Sequence, residues 1–263
     1  MTALSVNLNK IAWLRNAREG GRPNILEAAQ TVIEAGVQGI TVHPRPDQRH
    51  IRTNDVYALS DFLAVHHPRI EFNIEGNPLA GARDNGYPGF DDLIKTARPH
   101  QATLVPDSDG QLTSDHGWNF SDAAQTDRVA ALIARYQEMG ARVSLFMDPV
   151  HEQIAMAKAV GTDRIELYTG PFADLFELHG VNHEYTRASR EVYRDATRYA
   201  VELGLGVNAG HDLNLDNLSD FVSIGEIKEV SIGHALISDA LEFGLTKTTL
   251  KYLDAIVKGT RNA

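Results

Sequence analysis

The feature that most constrains the fold is an alternation of short apolar strands with helical segments along the whole chain. About eight such pairs follow one another, with no linker or shift in composition between them. Right-handed β-α-β units of this kind close naturally into a ring. We therefore expect an α/β fold, a (β/α)8 TIM barrel that spans residues 1–263 as a single domain with additional helices. The predicted strands are residues 4–9, the residues around His43, 71–75, 101–106, 142–148, 164–168, 206–209 and 229–232.

The segments between the strands include both helices and loops. Residues 10–18 are predicted to be a long polar connection and residues 77–88 a loop, while Thr169-Gly170-Pro171 breaks the chain. An open doubly wound sheet is the alternative, but Asn7-Leu8-Asn9-Lys10 stands where its glycine-rich dinucleotide fingerprint would follow strand one. The predicted helices are residues 24–35, 54–66, 89–97, 121–139, 151–160, 184–203, 217–224 and 246–258.

The two faces of the predicted strands differ in polarity. One face is built from Val, Ile, Leu and Phe and should pack on the helices, so the small and polar face should line the barrel interior. Polar groups in such an interior are costly unless they bind a ligand or one another. The pattern therefore predicts a site at the carboxyl ends of the strands. The polar positions are Asn7, Thr41, His43, Asn73, Glu75, Thr103, Ser144, Glu166, Asn208 and Ser231.

Charge and composition narrow the class of partner. The 263 residues include no cysteine and carry a net charge of -10, which excludes a disulfide scaffold and argues against a nucleic-acid partner. No stretch approaches the length of a membrane span, and the amino terminus lacks a basic segment followed by an apolar run. We expect a cytoplasmic protein without a membrane partner, acting on small anionic substrates that local arginines would bind.

Two histidines and two arginines directly follow the second strand, at His43, Arg45, Arg49 and His50. A guanidinium group offers an anion a fixed pair of donors, and an imidazole can carry a proton near neutral pH. This stretch is the first candidate for the chemistry. A solvated basic loop is the alternative interpretation.

The dipeptide Gly-His ends both of the last two strands, as Gly210-His211 and Gly233-His234. In phosphate-binding barrels these two loops and a short helix supply backbone N–H groups to the phosphate, and glycine permits a close approach. Two ordinary strand-ending turns are the alternative.

Two carboxylates point inward by parity. Glu75 ends strand three on the His43 side and could act as a general base in a partly dry site. It could equally be a buried ion-pair partner of Arg45 or Arg18. Glu166 is the second inward-pointing carboxylate. Its alternative role is an ion pair inside the barrel or a hydrogen bond to Asn208.

A metal site is not expected. His151-Glu152 begins a helix, but residue 155 is alanine, so the two-histidine zinc motif is absent. No nucleophile elbow and no cysteine are available for covalent catalysis.

Taken together, motifs spread over nearly the whole chain in the right order resemble the pyridoxine 5′-phosphate synthase family. The resemblance implies a barrel that condenses 1-deoxy-D-xylulose 5-phosphate with 3-amino-2-oxopropyl phosphate, releasing phosphate and water, without a metal or an organic cofactor. It also implies a homo-oligomer, typically an octamer. The motifs are Val6-Asn7, Leu14 to Arg18, Gly39 to His43 with Arg45, Arg49 to Ile51, Leu104 to Pro106, Val143 to Phe146, Glu166, Thr169-Gly170, Val207 to His211 and Ile232 to Ala235.

The resemblance also assigns roles by position. His43 and Glu75 would be proton acceptors, His211 a proton donor, and Glu166 a carboxylate that supports the transition state. The implied ligands of the amino-oxopropyl phosphate are Asn7, Arg18, Gly233 and His234. The implied ligands of the deoxyxylulose phosphate are Arg45, His50 and Thr113.

Three positions depart from the family pattern. Asn9-Lys10 replaces a common Asp-His, and Asp212 stands where a glycine is usual. Lys10 can hold a phosphate or hydroxyl oxygen, and the Asp212 backbone N–H can still donate, so all three remain expected substrate-binding residues. Residues 77–88 also resemble an insertion.

Two other functions remain open. Lys10, just past a barrel strand, could be the amine of a Schiff-base aldolase, which borohydride would trap. The chain could also be a non-catalytic sugar-phosphate binding barrel, which would bind ligand without turnover.

Overall fold

Eight parallel strands form a closed barrel in which each strand pairs with the next and the last pairs with the first. The computed structural model describes residues 2–18 and 20–263. The ring closes between β1 and β8, where Ala3 pairs with Glu229 and Val6 with Ile232. The predicted (β/α)8 barrel is confirmed. The strands are β1 Ala3–Asn7, β2 Gly39–Val42, β3 Glu71–Gly76, β4 Gln101–Leu104, β5 Arg142–Met147, β6 Arg164–Tyr168, β7 Gly206–Gly210 and β8 Ile227–Ile232.

Helices surround the barrel and bury one apolar face against it. In the first long helix the buried residues Ile25, Ala28, Ala29 and Val32 recur at helical spacing. The Asn24 side chain caps its start by accepting from two backbone N–H groups. The helices are α1 Asn9–Asn16, α2 Ile25–Glu34, α3 Thr53–His66, α4 Phe90–Ala97, α5 Ala123–Glu138, α6 His151–Ala159, α7 Gly170–His179, α8 Glu184–Glu202, α9 Leu218–Val222, α10 His234–Phe243 and α11 Leu245–Arg261.

Three helices were missed by the sequence analysis. Most of residues 10–18 is not a polar connection but helix α1, which buries only Ile11 and Ala12 and so shows little apolar periodicity. Helix α7 begins at Gly170, in the predicted break, because Pro171 is tolerated in the first turn of a helix. Helix α10 begins immediately after Gly233.

Polar side chains fill the barrel interior in connected layers, as the parity of the strands predicted. In the middle layer the hydroxyls of Ser5 and Thr41 lie 2.7 Å apart, Asn73 donates to Thr41, and Thr103 donates to Asn73. The polar groups of this layer therefore bind one another.

The layer nearest the amino ends of the strands is also self-contained. The Asn208 amide group donates to Gln101 and Glu229 and accepts from Arg164. The alternative in which Glu166 bonds to Asn208 is therefore wrong. Only the layer at the carboxyl ends of the strands is left open to a ligand.

The loop at residues 77–88 is confirmed as a loop, closed by an antiparallel bridge between Gly81 and Gly89. Just before it, Gly76 follows Glu75 at the end of β3. A Cβ atom on Gly76 would overlap the ring of Phe90 in α4. The glycine therefore lets α4 pack tightly against the strand end that carries Glu75.

Candidate active site

A cavity of about 680 Å³ opens at the carboxyl end of the barrel. The strand ends and the loops that follow them bring nearly all the predicted site residues into its wall. Arg18 is the exception: it is exposed and does not line this cavity. The predicted residues in the wall are Asn7, Asn9, Lys10, His43, Arg45, His50, Glu75, Thr113, Glu166, His211, Asp212, Gly233 and His234.

His43 and Glu75 lie together on the floor of the cavity, with 3.7 Å between His43 Nδ1 and Glu75 Oε2. Asn7 and Ser231 each donate to one Glu75 oxygen at 3.3 Å. Burial, the largest cause, raises the pKa of Glu75 to about 7. Burial, reinforced by Arg45, lowers the pKa of His43 well below its usual value. The pair can therefore exchange protons near neutral pH without holding a permanent charge.

Glu166 is the second carboxylate of the floor. It is 3% exposed, and its Oε2 atom has no hydrogen-bond partner. Burial raises its pKa well above the usual value, with the charges of Glu75 and Glu229 adding to the effect. A Cβ atom on Gly210 would overlap the Glu166 carboxylate, so the glycine makes room for it. Glu166 thus holds its proton more strongly than an ordinary carboxyl group does, and in its protonated form it can donate a hydrogen bond into the cavity.

Arg45 is held by a residue that the sequence analysis missed. The Asp107 carboxylate accepts from Arg45 at 2.6 Å and from Ser114 at 2.8 Å, and lies 4.0 Å from His43 Nε2. The proposed pairing of Glu75 with Arg45 is therefore wrong, because Asp107 takes that place. Its position directly after Pro106 at the end of strand four was the available signal, although the sequence alone assigned it to a polar loop.

His50 and Lys10 complete this basic wall. His50 Nδ1 accepts from the backbone N–H of Ile51 at 2.8 Å, so a neutral ring carries its hydrogen on Nε2. Burial and the charges of Arg45, Arg49 and Lys10 lower the pKa of His50 to about 3, so it is a neutral donor. Lys10 Nζ lies 4.9 Å from the ring centre of Trp13. Burial, followed by the charges of Arg49 and Arg45, lowers the pKa of Lys10.

Asn9 has a clear local role. Its side-chain oxygen accepts from the backbone N–H of His43 at 2.9 Å, while its own backbone N–H donates to Asn7. This residue therefore fixes the start of α1 to the end of β2, beside a proposed proton acceptor. A carboxylate at this position could accept the same bond.

A second part of the cavity wall is formed by the ends of the last two strands. Gly233 leads into α10, and a Cβ atom there would lie 3.0 Å from Asn7 Cβ, so backbone and ligand can approach closely only with glycine. The free N–H groups and dipole at the start of α10 favour an anion. His234 and Asp212 flank this position in the cavity wall.

Two side chains contact the imidazole ring of His211 at the mouth of the cavity. The Thr113 hydroxyl, in the loop after β4, lies 2.7 Å from His211 Nε2. The Asp212 carboxylate lies 2.6 Å from His211 Nδ1. Thr113 and Asp212, two predicted substrate ligands, thus both contact His211, the predicted proton donor.

Other residues that line the cavity belonged to no motif that would have marked them, among them Trp13, Asp174 and Glu177. Across residues 2–18 and 20–263, no group of three or more His, Cys, Asp or Glu side chains is placed to hold a metal ion. Within the same residues, no helix combines the length and apolar character that crossing a bilayer requires.

Similar solved structures share the barrel. The 3-hexulose-6-phosphate synthase from Salmonella typhimurium superposes with a TM-score of 0.62 at 14% identity, covering 98% of this chain and 100% of that one. The 3-keto-L-gulonate-6-phosphate decarboxylase from Vibrio cholerae gives 0.60 at 13% identity, covering 98% of each chain. At this identity the likeness shows the fold alone.

Sequence relatives are far more similar. A pyridoxine 5′-phosphate synthase from Xanthomonas campestris pv. campestris is 54% identical over 263 residues, covering 100% of this chain and 99% of the relative. The synthase of the same name from Albidiferax ferrireducens is 51% identical over 260 residues, covering 98% of each. The family model described as pyridoxal phosphate biosynthesis protein PdxJ matches residues 4–258. The chain therefore belongs to the PdxJ family, the pyridoxine 5′-phosphate synthases of vitamin B6 biosynthesis.

Proposed function

We propose that this barrel condenses 1-deoxy-D-xylulose 5-phosphate with 3-amino-2-oxopropyl phosphate to give pyridoxine 5′-phosphate, phosphate and water. The observation that carries the proposal is that the His43–Glu75 pair lines the same cavity as two groups of residues suited to anions, Arg45 with His50 and Gly233 with His234. Two phosphorylated substrates need two anion sites, and the ring-closing steps between them need protons to be moved. The whole chain would then serve as one catalytic domain.

The basic wall would receive the ketose phosphate. Arg45 is oriented by Asp107, and His50 is a neutral donor whose Nε2–H is free of the backbone bond made by Nδ1. Lys10 and Thr113 would add donors to the sugar oxygens. Asn9 would act here by holding the backbone of His43 in place.

The glycine wall would receive the amino-oxopropyl phosphate. Its phosphate would lie against Gly233 and the start of α10, with His234 as a further donor. Asn7 would contact the same substrate from β1. Arg18, implied by the resemblance, is exposed outside the cavity and would have to approach when substrate binds.

The proton transfers would be divided among the four groups of the floor and mouth. His43 and Glu75 would accept protons as the imine forms and as carbon-bound hydrogens leave. His211 would return protons to departing hydroxyl groups. Glu166, whose pKa burial raises well above the usual value, would in its protonated form donate a hydrogen bond to an oxygen atom that gains charge in the transition state.

A second candidate function is favoured by one observation. Lys10 has a lowered pKa, caused first by burial and then by Arg49 and Arg45, and a lysine that loses its proton more readily is the amine that a Schiff-base aldolase needs. A non-catalytic sugar-phosphate binding barrel has no comparable support.

The direct test is to supply both phosphorylated substrates and follow the absorbance of the pyridine product together with released phosphate. The proposal expects both signals with each substrate present and neither with one omitted. Ligand binding without either signal would support the binding barrel instead.

A homo-octamer in the cytoplasm is proposed from the family resemblance. Large apolar side chains that remain exposed support an assembly, including Leu112 at 76%, Leu178 at 74% and Leu241 at 78% exposure. Light scattering on the purified protein would give the mass, for which a single 28.9 kDa chain is the contrary result.

A further inference from the structure

Both ring nitrogens of His211 have side-chain partners. Nδ1 lies 2.6 Å from an Asp212 carboxylate oxygen, and Nε2 lies 2.7 Å from the Thr113 hydroxyl. The hydrogen bond to His211 lowers the pKa of Asp212, so this side chain is a carboxylate at neutral pH. A carboxylate can only accept, whereas a hydroxyl can donate or accept. Asp212 alone therefore decides which ring nitrogen carries the hydrogen.

The turn that carries this pair has an unusual backbone. His211 and Asp212 have φ values of +86° and +58°, a region that L-residues rarely adopt. Thr169 donates to the carbonyl groups of Gly210 and His211, and Asn217 donates to the Asp212 carbonyl, so the surrounding structure fixes the turn. Glycine at position 212 would remove the local strain. A strained aspartate that bonds to a cavity-lining imidazole indicates that its side chain has a role.

The ring of His211 also packs against Tyr168, edge to face, with 5.3 Å between the ring centres. Such packing restrains the plane of the imidazole, but it determines neither the ring flip, which exchanges each nitrogen with a carbon, nor which nitrogen carries the hydrogen. The hydrogen bond between Asp212 and Nδ1 determines both.

We propose that Asp212 is a positioning residue that fixes a hydrogen on His211 Nδ1 and thereby presents Nε2 to the substrate for proton exchange. This inference rests on the proposed function, because the proton transfer by His211 belongs to it. Thr113 occupies Nε2 in the free enzyme and gives way to the substrate oxygen. The arrangement has the same logic as a carboxylate that orients a catalytic histidine through its far nitrogen.

The first test measures the tautomer without substrate. Protein labelled with 15N at its eleven histidines is studied by NMR at a pH at which the His211 ring is neutral, and the signal is assigned by its loss in His211→Asn. In the wild type the hydrogen is expected on Nδ1. In Asp212→Asn the amide can donate to Nδ1 as well as accept from it, so the preference for Nδ1 should weaken or reverse. In Asp212→Gly the preference for Nδ1 should be lost. A wild-type ring with its hydrogen on Nε2 would overturn the proposal.

The second test separates positioning from structural support. Asp212→Gly should lower kcat on the order of 10- to 100-fold, with each KM changed by less than about threefold. It should also raise the thermal midpoint, since glycine tolerates the turn. Asp212→Asn, whose amide can donate to Nδ1 and so favour the other tautomer, should also lower kcat. Unchanged kcat in Asp212→Gly, or a loss of kcat that only follows a loss of folded protein, would overturn the proposal.

The two proposals fail differently. An enzyme that makes no pyridine product from both substrates refutes the proposed function. The NMR tautomer in the free enzyme then still decides whether Asp212 orients His211.

Discussion

His43 Nδ1 lies 3.7 Å from Glu75 Oε2, and burial lowers the pKa of His43 while it raises the pKa of Glu75 to about 7. His43 is thereby kept neutral at neutral pH, whereas Glu75 can gain or lose a proton there. A neutral imidazole and such a carboxyl group at this distance can both take part in proton transfer with a substrate placed between them. This relationship is the basis of the first two predictions.

Replacing either member of the pair should remove turnover more than binding. His43→Ala and Glu75→Gln are each expected to lower kcat on the order of 100-fold or more, while the dissociation constants of both substrates change less than about threefold. The proposed anion contacts at Arg45 and Gly233 are left unchanged in both variants. Steady-state kinetics and calorimetric titration give the two quantities.

The matched control is His66→Ala, at the exposed end of α3. It removes an imidazole without touching the cavity and should leave kcat within about twofold of the wild type. Near-normal turnover in both site variants would refute the assignment of the chemistry to strands β2 and β3.

The raised pKa of Glu75 predicts a pH-dependent stability. Between the ordinary value of 4.5 and the folded value of about 7, the folded state holds a proton that the unfolded state has lost. Stability contributed at this site therefore falls as pH rises through that window. Glu75→Gln cannot ionise, so its free energy of unfolding should gain on the wild type from about pH 5 to pH 7 and then keep a constant difference. Urea unfolding measures the free energy of unfolding of both proteins across this pH range. A difference between the two proteins that does not change with pH would contradict the prediction.

The two walls of the cavity should be separable by mutation. Arg45→Ala is expected to raise the KM of the ketose phosphate on the order of tenfold or more, by removing a charged fork. Gly233→Val should do the same for the amino-oxopropyl phosphate, because its Cβ atom would crowd Asn7 and close the approach to α10. Each KM is measured with the other substrate saturating.

Arg45→Lys is the control for charge, since it keeps a cation but loses the paired donors that bind both Asp107 and an anion. It should fall between the wild type and Arg45→Ala. Equal losses for both substrates in the Arg45 and Gly233 variants would argue against two separate anion sites.

The alternation of side-chain direction along the strands accounts for most of what could be predicted from the sequence. Alternation placed Asn73 and Thr103 in the interior and Glu75 and Glu166 at its open end, because side-chain direction follows directly from the extended backbone. The number of strands then required the ring to close. Such inferences depend only on local pattern and connectivity.

What the sequence did not reveal depends on contacts between distant loops. Asp107 pairs with Arg45, 62 positions earlier in the chain, and Thr113 meets His211, 98 positions later. Neither pairing leaves a local pattern. Helix α1 was not predicted for a different reason. It buries only two side chains, so its sequence shows almost no apolar face.

The replacement of Asp-His by Asn9-Lys10 gives the last prediction. If Lys10 binds substrate in place of a histidine, Lys10→His with Asn9→Asp should keep at least about a tenth of the ring-closing activity. Both lysine and histidine offer a donor to an oxygen anion, and an aspartate at position 9 can still accept from the His43 backbone N–H. The coupled assay for pyridine product measures the retained activity.

The aldolase alternative predicts the reverse. An enzyme-bound imine requires a primary amine, which imidazole cannot supply, so the double variant would be inactive. Borohydride added with the ketose substrate would then leave a stable mass increase on the peptide that contains Lys10. The lowered pKa of Lys10 is compatible with either role, because burial and the neighbouring arginines would perturb any amine placed there. The binding role is favoured because the amine needed for imine formation is already present on the second substrate, and two amines would compete for one carbonyl. A trapped adduct at Lys10 together with an inactive double variant would move the protein to the aldolase class.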